Sequence, residues 1–207
     1  MSTLCTIVLL SSIASPTLAL ADANGGGPAG GPRVRPQDGR TATLLLEGIQ
    51  RSDTLRSLVE QLEHRDVIVY LETEPRLKGH LAGRLTWLAA TRAFRYVRVA
   101  ISPDLTGASA IGTLGHELHH ALEVANEPSI VDDKTLDEFY RRTGIRTQTH
   151  RSSWDTEAAR IAGDEVRREA STTRSLRLAE VGRDFEPDRW RVVYRMLREQ
   201  RTVGTAY

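Results

Sequence analysis

Apolar residues recur at two spacings along this chain, and the change between them marks its organisation. Leu44, Leu45, Leu46, Ile49, Leu55, Leu58, Val59 and Leu62 fall at mixed helical intervals, and Ser52 and Asp53 supply a cap signal. Together they predict a helix over residues 54–64. The run 66–71 (DVIVYL) is rich in β-branched residues and reads as a strand. Residues 81–88 and 95–101 are two further strands, with 92–94 as the turn between them. In the last of these Tyr96, Arg98 and Ala100 alternate with Val97, Val99 and Ile101, the two-residue period of a half-buried strand. Ser102-Pro103-Asp104 then stops the sheet. Beyond Gly107 the period becomes helical and stays so, predicting helices at 110–125, 134–142, 156–170 and 187–201. A helix, a small sheet and then a run of helices define an α+β fold.

The ends of the chain read differently. Residues 4–21 carry no charge and finish Ala19-Leu20-Ala21, a secretory signal pattern with cleavage after Ala21. Ser11, Ser12, Ser15 and Pro16 interrupt the run, which makes it a poor membrane span. Such a chain is expected to be secreted, periplasmic or held in the cell envelope, with membrane contact only if this segment is retained. Residues 22–40 hold six glycines and three prolines and predict a flexible leader, with order starting near Thr41. The expected organisation is signal 1–21, leader 22–40, main domain 41–170 and helical extension 171–207. In that extension Trp190, Val193, Tyr194 and Leu197 form an apolar stripe suited to packing on the body.

Composition narrows the chemistry. With 28 Lys and Arg against 27 Asp and Glu the net charge is +1, so bulk charge gives no case for a nucleic-acid partner. A single cysteine, Cys5, excludes a disulfide framework and a cysteine-rich zinc finger.

The chemistry-bearing motif is His116-Glu117-Leu118-His119-His120, an H-E-x-x-H. Two histidines at i and i+4 share one helix face, about 6 Å apart along the axis, and both can reach one ion. Glu117 lies about 100° round the helix from His116, where it can take a proton from a metal-bound water. A chain of this composition produces the motif by chance roughly 0.01 times. Its context is helical as well: Ile111, Leu114, Leu118, Leu122 and Ala125 form one apolar face, while His116, His120, Glu123 and Glu127 point away from it. Gly112 and Gly115 inside the helix imply close backbone packing near the site.

Residues 111–125 resemble the active-site helix of the zincin metallopeptidases, and a short sheet before that helix with further helices after it resembles their fold. The resemblance implies a zincin-like α+β domain, a Zn²⁺ cofactor and a peptide or protein substrate. It also implies a third ligand. The metzincin arrangement needs a glycine and a histidine where this chain has Glu123 and Asn126, which disfavours that subgroup. The gluzincin arrangement takes a glutamate from a later helix, and Glu157 in Trp154-Asp155-Thr156-Glu157-Ala158-Ala159 is the candidate. Ser153 or Asp155 can cap that helix, and Ala158, Ala159, Ile161 and Ala162 offer a small-residue surface to Gly112 or Gly115. Glu123 competes for the ligand role but lies about 10 Å from His116 along the axis, a better place to support a ligand.

Around this set, Tyr140 and His150 are candidate donors to a developing oxyanion, although Tyr140 beside Phe139 reads first as a core residue and His150 as a solvated loop histidine. Asp132 and Asp133 can orient a histidine, and Asp133 also suits a helix N-cap. Arg95, Tyr96 and Arg98 lie on the strand just before the metal helix, where zincins align substrate along an edge strand. The expected function is a secreted zinc metallopeptidase of gluzincin-like type, with metal on His116, His120 and Glu157 and with Glu117 as the proton-transfer residue. The alternative is a non-catalytic, zinc-stabilised binding module at the cell envelope.

Overall fold

A computed structural model describes residues 31–77, 81–146 and 154–172. The expected signal, the first part of the leader, His150 and the helix at 187–201 lie outside the described residues. The elements run β1 Val34–Pro36, α1 Gly39–Arg51, α2 Asp53–Glu63, β2 Val67–Thr73, β3 Gly83–Ala90, β4 Arg95–Ile101, α3 Gly107–Asn126, α4 Asp133–Thr143, β5 Ile145–Arg146, β6 Trp154–Asp155 and α5 Glu157–Thr172. The fold is α+β, with a four-stranded sheet ordered β1-β2-β4-β3 and a two-stranded β5-β6 pair. No helix among the described residues is long and apolar enough to cross a membrane.

Order begins earlier than the glycine content suggests, which corrects the leader at its end. Val34 and Pro36 pair in parallel with Val69 and Leu71, and Asp38 caps α1. Its carboxylate accepts from Thr41 N at 2.8 Å, and the Thr73 N–H donates to its other oxygen at 2.8 Å, so one side chain ties the helix start to β2. Pro36 is tolerated because β1 is an edge strand, where a missing donor need not break a ladder. Ser52 ends α1 and caps α2, accepting from Leu55 N at 3.0 Å.

The sheet buries one face. Val69, Val97 and Trp87 lie in register across β2, β4 and β3, as do Leu71, Val99 and Leu85. They join Leu45, Leu55, Ile111, Leu114 and Leu118 from the helices in one core. Full burial of each such aliphatic side chain contributes about 1.5–3 kcal/mol. On the other face Tyr70 and Tyr96 stack at 6.4 Å, and Arg98 pairs with Glu72 at 3.2 Å. β3 pairs antiparallel with β4 and forms an edge, with a register shift between Trp87 and Ala89. Arg95, Tyr96 and Arg98 therefore lie on an inner strand, and the edge beside α3 belongs to β3.

Helix α3 crosses α5 closely because small residues meet. A Cβ on Gly163 would lie 2.9 Å from the His116 Cβ and 3.1 Å from the Gly112 carbonyl. The close contact foreseen from Gly112 and Gly115 is present, but its partners are Gly163, Val166 and Arg167, which follow the last of the alanines, Ala162, in α5.

Candidate metal centre

His116 and His120 leave α3 one turn apart and meet edge to face, with ring centroids 4.8 Å apart. Their Nε2 atoms lie 3.4 Å and 3.5 Å from a single oxygen, Oδ1 of Asp155. All three ligand-type atoms lie within 4.8 Å of one another. Tetrahedral coordination with bonds of about 2.0–2.1 Å sets ligand atoms about 3.3 Å apart, close to both observed N···O separations. Asp155 Oδ1 is moreover buried without a hydrogen-bond partner. A buried carboxylate oxygen in that condition needs positive charge beside it, which protons on the two facing imidazoles or a shared cation can supply. The donor set, two imidazoles and one carboxylate, therefore fits a divalent transition metal.

The carboxylate beside the imidazoles is not the one expected. Glu157 stands apart from the two imidazoles, its side chain 60% exposed and paired with Arg160 at 2.9 Å. Asp155, two residues earlier in β6, takes the place beside them. Thr156 is the cause. Its hydroxyl caps α5 by accepting from Ala159 N at 3.1 Å, so Glu157 opens the helix on its outer surface while Asp155 remains outside it. Asp, Ser and Thr all serve as N-caps, so cap preference alone does not choose among Ser153, Asp155 and Thr156; the packing of α5 does. Neither Asp155 nor Ser153 is then required as a cap.

Behind the imidazoles lies a supporting layer. Glu123 Oε2 lies 2.7 Å from His120 Nδ1, and Glu123 Oε1 accepts from Thr156 Oγ1 at 2.5 Å. Accepting the Nδ1 proton leaves Nε2 as the nitrogen that faces Asp155, where a metal would take the place of its proton. Tyr140 OH sits 3.1 Å from the same Nδ1, with its ring edge-on to His120. It thus touches the side of the imidazole turned away from Asp155, the wrong side for the oxyanion donor that Tyr140 was one of two candidates to be. Asp132, expected near a histidine, instead caps α4, accepting from Thr135 N at 2.8 Å.

Electrostatics in the cluster favour positive charge. Burial alone lowers the pKa of His120, but the facing carboxylates of Asp155 and Glu123 outweigh it and carry it up to about 10. Burial raises Glu123 and Asp155, yet the imidazoles beside each of them leave both below the usual carboxylate range. His116 is lowered, by burial first and by His120 second. A bound cation would meet the same attractive field that favours a proton on His120.

Glu117 is placed differently. It is buried at 6% exposure, and burial lifts its pKa to about 7, against a lowering by His120 and by the Leu85 backbone. The edge strand closes over it at a glycine: a Cβ on Gly83 would lie 2.8 Å from Glu117 Oε1. Thus α3 presents two imidazoles to Asp155 and a separate carboxyl group to β3.

No protein-family model matches this chain, and no curated protein or solved structure matches it.

Proposed function

We propose that this chain is a zinc-dependent peptidase of zincin type, exported from the cell, with His116, His120 and Asp155 as metal ligands. Asp155 takes the role first expected of Glu157. The observation that carries this reading is the Asp155 carboxylate oxygen, buried without a hydrogen bond and aimed at two Nε2 atoms 3.4 and 3.5 Å away.

When bound, zinc supplies Lewis acidity, polarising the scissile carbonyl and making water a nucleophile near neutral pH. The chain's own residues do the rest. Glu117, outside the ligand set but on the same helix, takes a proton from the attacking water and returns it to the leaving amine. Glu123 and Tyr140 hold the His120 ring from behind. The outer edge of β3, whose Gly83 lies against Glu117, is suited to receive an extended peptide as an added strand.

The test is metal content combined with hydrolysis of an unfolded protein substrate by the wild type and Glu117→Gln. The expected result is stoichiometric zinc in both and hydrolysis only in the wild type. Equal hydrolysis in the variant, or no bound metal in the wild type, overturns the reading. Zinc without hydrolysis, together with unfolding on chelation, would favour the zinc-stabilised binding module instead.

A further inference from the structure

We propose that Thr156 is a positioning residue of this centre, whose single hydroxyl sets both the carboxylate ligand and the orientation of His120. The inference rests on His116, His120 and Asp155 being ligands. A hydroxyl has one proton to give and lone pairs to receive with. Here the Ala159 N–H, 3.1 Å away, uses a lone pair. The Glu123 carboxylate can only accept, so the hydroxyl proton must go to Glu123 Oε1 at 2.5 Å. The direction of both bonds is thereby fixed.

Two consequences meet at the centre. Oε1 takes the Thr156 proton at 2.5 Å, with His119 Nδ1 more distant from the same oxygen at 3.4 Å, and Glu123 turns Oε2 to His120 Nδ1 at 2.7 Å, closer than the Tyr140 hydroxyl at 3.1 Å. The proton is held on Nδ1, and Nε2 faces Asp155. In the same stroke the helix start is pinned at Thr156, one peptide unit from Asp155. Thr156 is buried, so bulk water does not compete for these bonds. One side chain thus joins α3, which carries both imidazoles, to the segment that carries the carboxylate.

The experiment compares the full-length wild type with Thr156→Ser, Thr156→Val and Thr156→Gly. Zinc affinity is measured by competition with a chromogenic chelator. Exchange of the His120 Nδ1 proton is followed by NMR in metal-free protein. Serine keeps both bonds and should match the wild type in both measurements. Valine keeps the shape and loses both bonds; zinc should bind about 10- to 100-fold more weakly, and the Nδ1 proton should lose its protection. Glycine is nearly as good as threonine at a helix N-cap but has no proton to give, so it should show the same losses with little change in melting temperature. That variant separates the tie to Glu123 from simple helix capping, and it decides the matter if the valine variant does not fold. Wild-type affinity and wild-type proton protection in Thr156→Gly would overturn the proposal. A wild type that binds no zinc would sink the peptidase reading alone, because the proton-exchange comparison still decides for or against the Thr156 tie.

Discussion

The guanidinium of Arg95 lies across the carboxyl end of α3, its Nη1 donating to the Val124 carbonyl at 2.7 Å. The same nitrogen donates to Glu127 O at 2.8 Å and Ile130 O at 3.3 Å, while Nη2 reaches Ala125 O at 3.2 Å. Asp66 holds the group from behind at 2.7 Å. The last carbonyls of a helix have no partner within it, and a cation there also meets the negative end of the helix dipole.

Arg95→Met should therefore destabilise the fold by about 2–4 kcal/mol, because several buried carbonyls lose their donor at once. Denaturant unfolding measures this directly. A loss below half a kcal/mol would mean that water or a shifted backbone replaces the guanidinium.

The two acidic residues flanking Thr156 should behave in opposite ways. Asp155→Asn should weaken zinc binding by at least about 100-fold, since it removes the charge from a ligand. Glu157→Gln should leave affinity within about twofold, because an exposed ion pair with Arg160 contributes little. Isothermal titration of both variants checks the pair; the reverse ranking would restore Glu157 as the ligand.

Gly163→Ala tests how closely the two helices must approach. Its new methyl group would meet the His116 Cβ at 2.9 Å and the Gly112 carbonyl at 3.1 Å, and backbone can yield only by separation of the helices. The expected cost is about 1–3 kcal/mol in thermal or denaturant unfolding, accompanied by weaker metal binding as His116 moves away from Asp155.

Gly83→Ala probes the edge strand without touching a ligand. Its Cβ would fall 2.8 Å from both Glu117 Oε1 and Thr113 Cγ2. Hydrolysis should drop by about 10- to 100-fold while zinc affinity holds, as expected when a proton-transfer group is misplaced by a fraction of its reach. Parallel loss of metal would instead place the damage in α3 itself.

Much of this architecture is legible in the sequence where a period has room to declare itself. The strands at 67–73 and 95–101 and the twenty-residue α3 each present several repeats of their spacing, and all three fall close to where the pattern puts them. β1 does not: three residues with a proline, next to a glycine-rich stretch, contain no period, and only pairing with Val69 and Leu71 defines the strand. α1 was hidden for another reason. Leu44, Leu45 and Leu46 are all buried, so its apolar side is too broad to show a clean stripe.

The same contrast runs through the centre. His116, Glu117 and His120 are fixed relative to one another by helical geometry alone. Glu123 follows from it as well, because i+3 from His120 is a neighbouring position on the same face. Asp155 sits in a two-residue strand, and in the run Asp155-Thr156-Glu157 the residue that caps the helix decides which carboxylate faces inward. Tyr140 could be placed in the correct helix, but its side of the imidazole depends on how α4 packs.

The irregular pairing of β3 has a consequence for behaviour in concentrated solution. A strand with one unpaired side invites a neighbouring molecule to extend the sheet indefinitely, the first step toward fibres. The shift at Trp87 and Ala89 breaks the even hydrogen-bond spacing beside exposed Leu88, so an intruding copy could match only a short stretch before losing step. Any added strand is thereby confined to the regular stretch on one side of Trp87, long enough for a short segment but not for the full length of a second copy's edge.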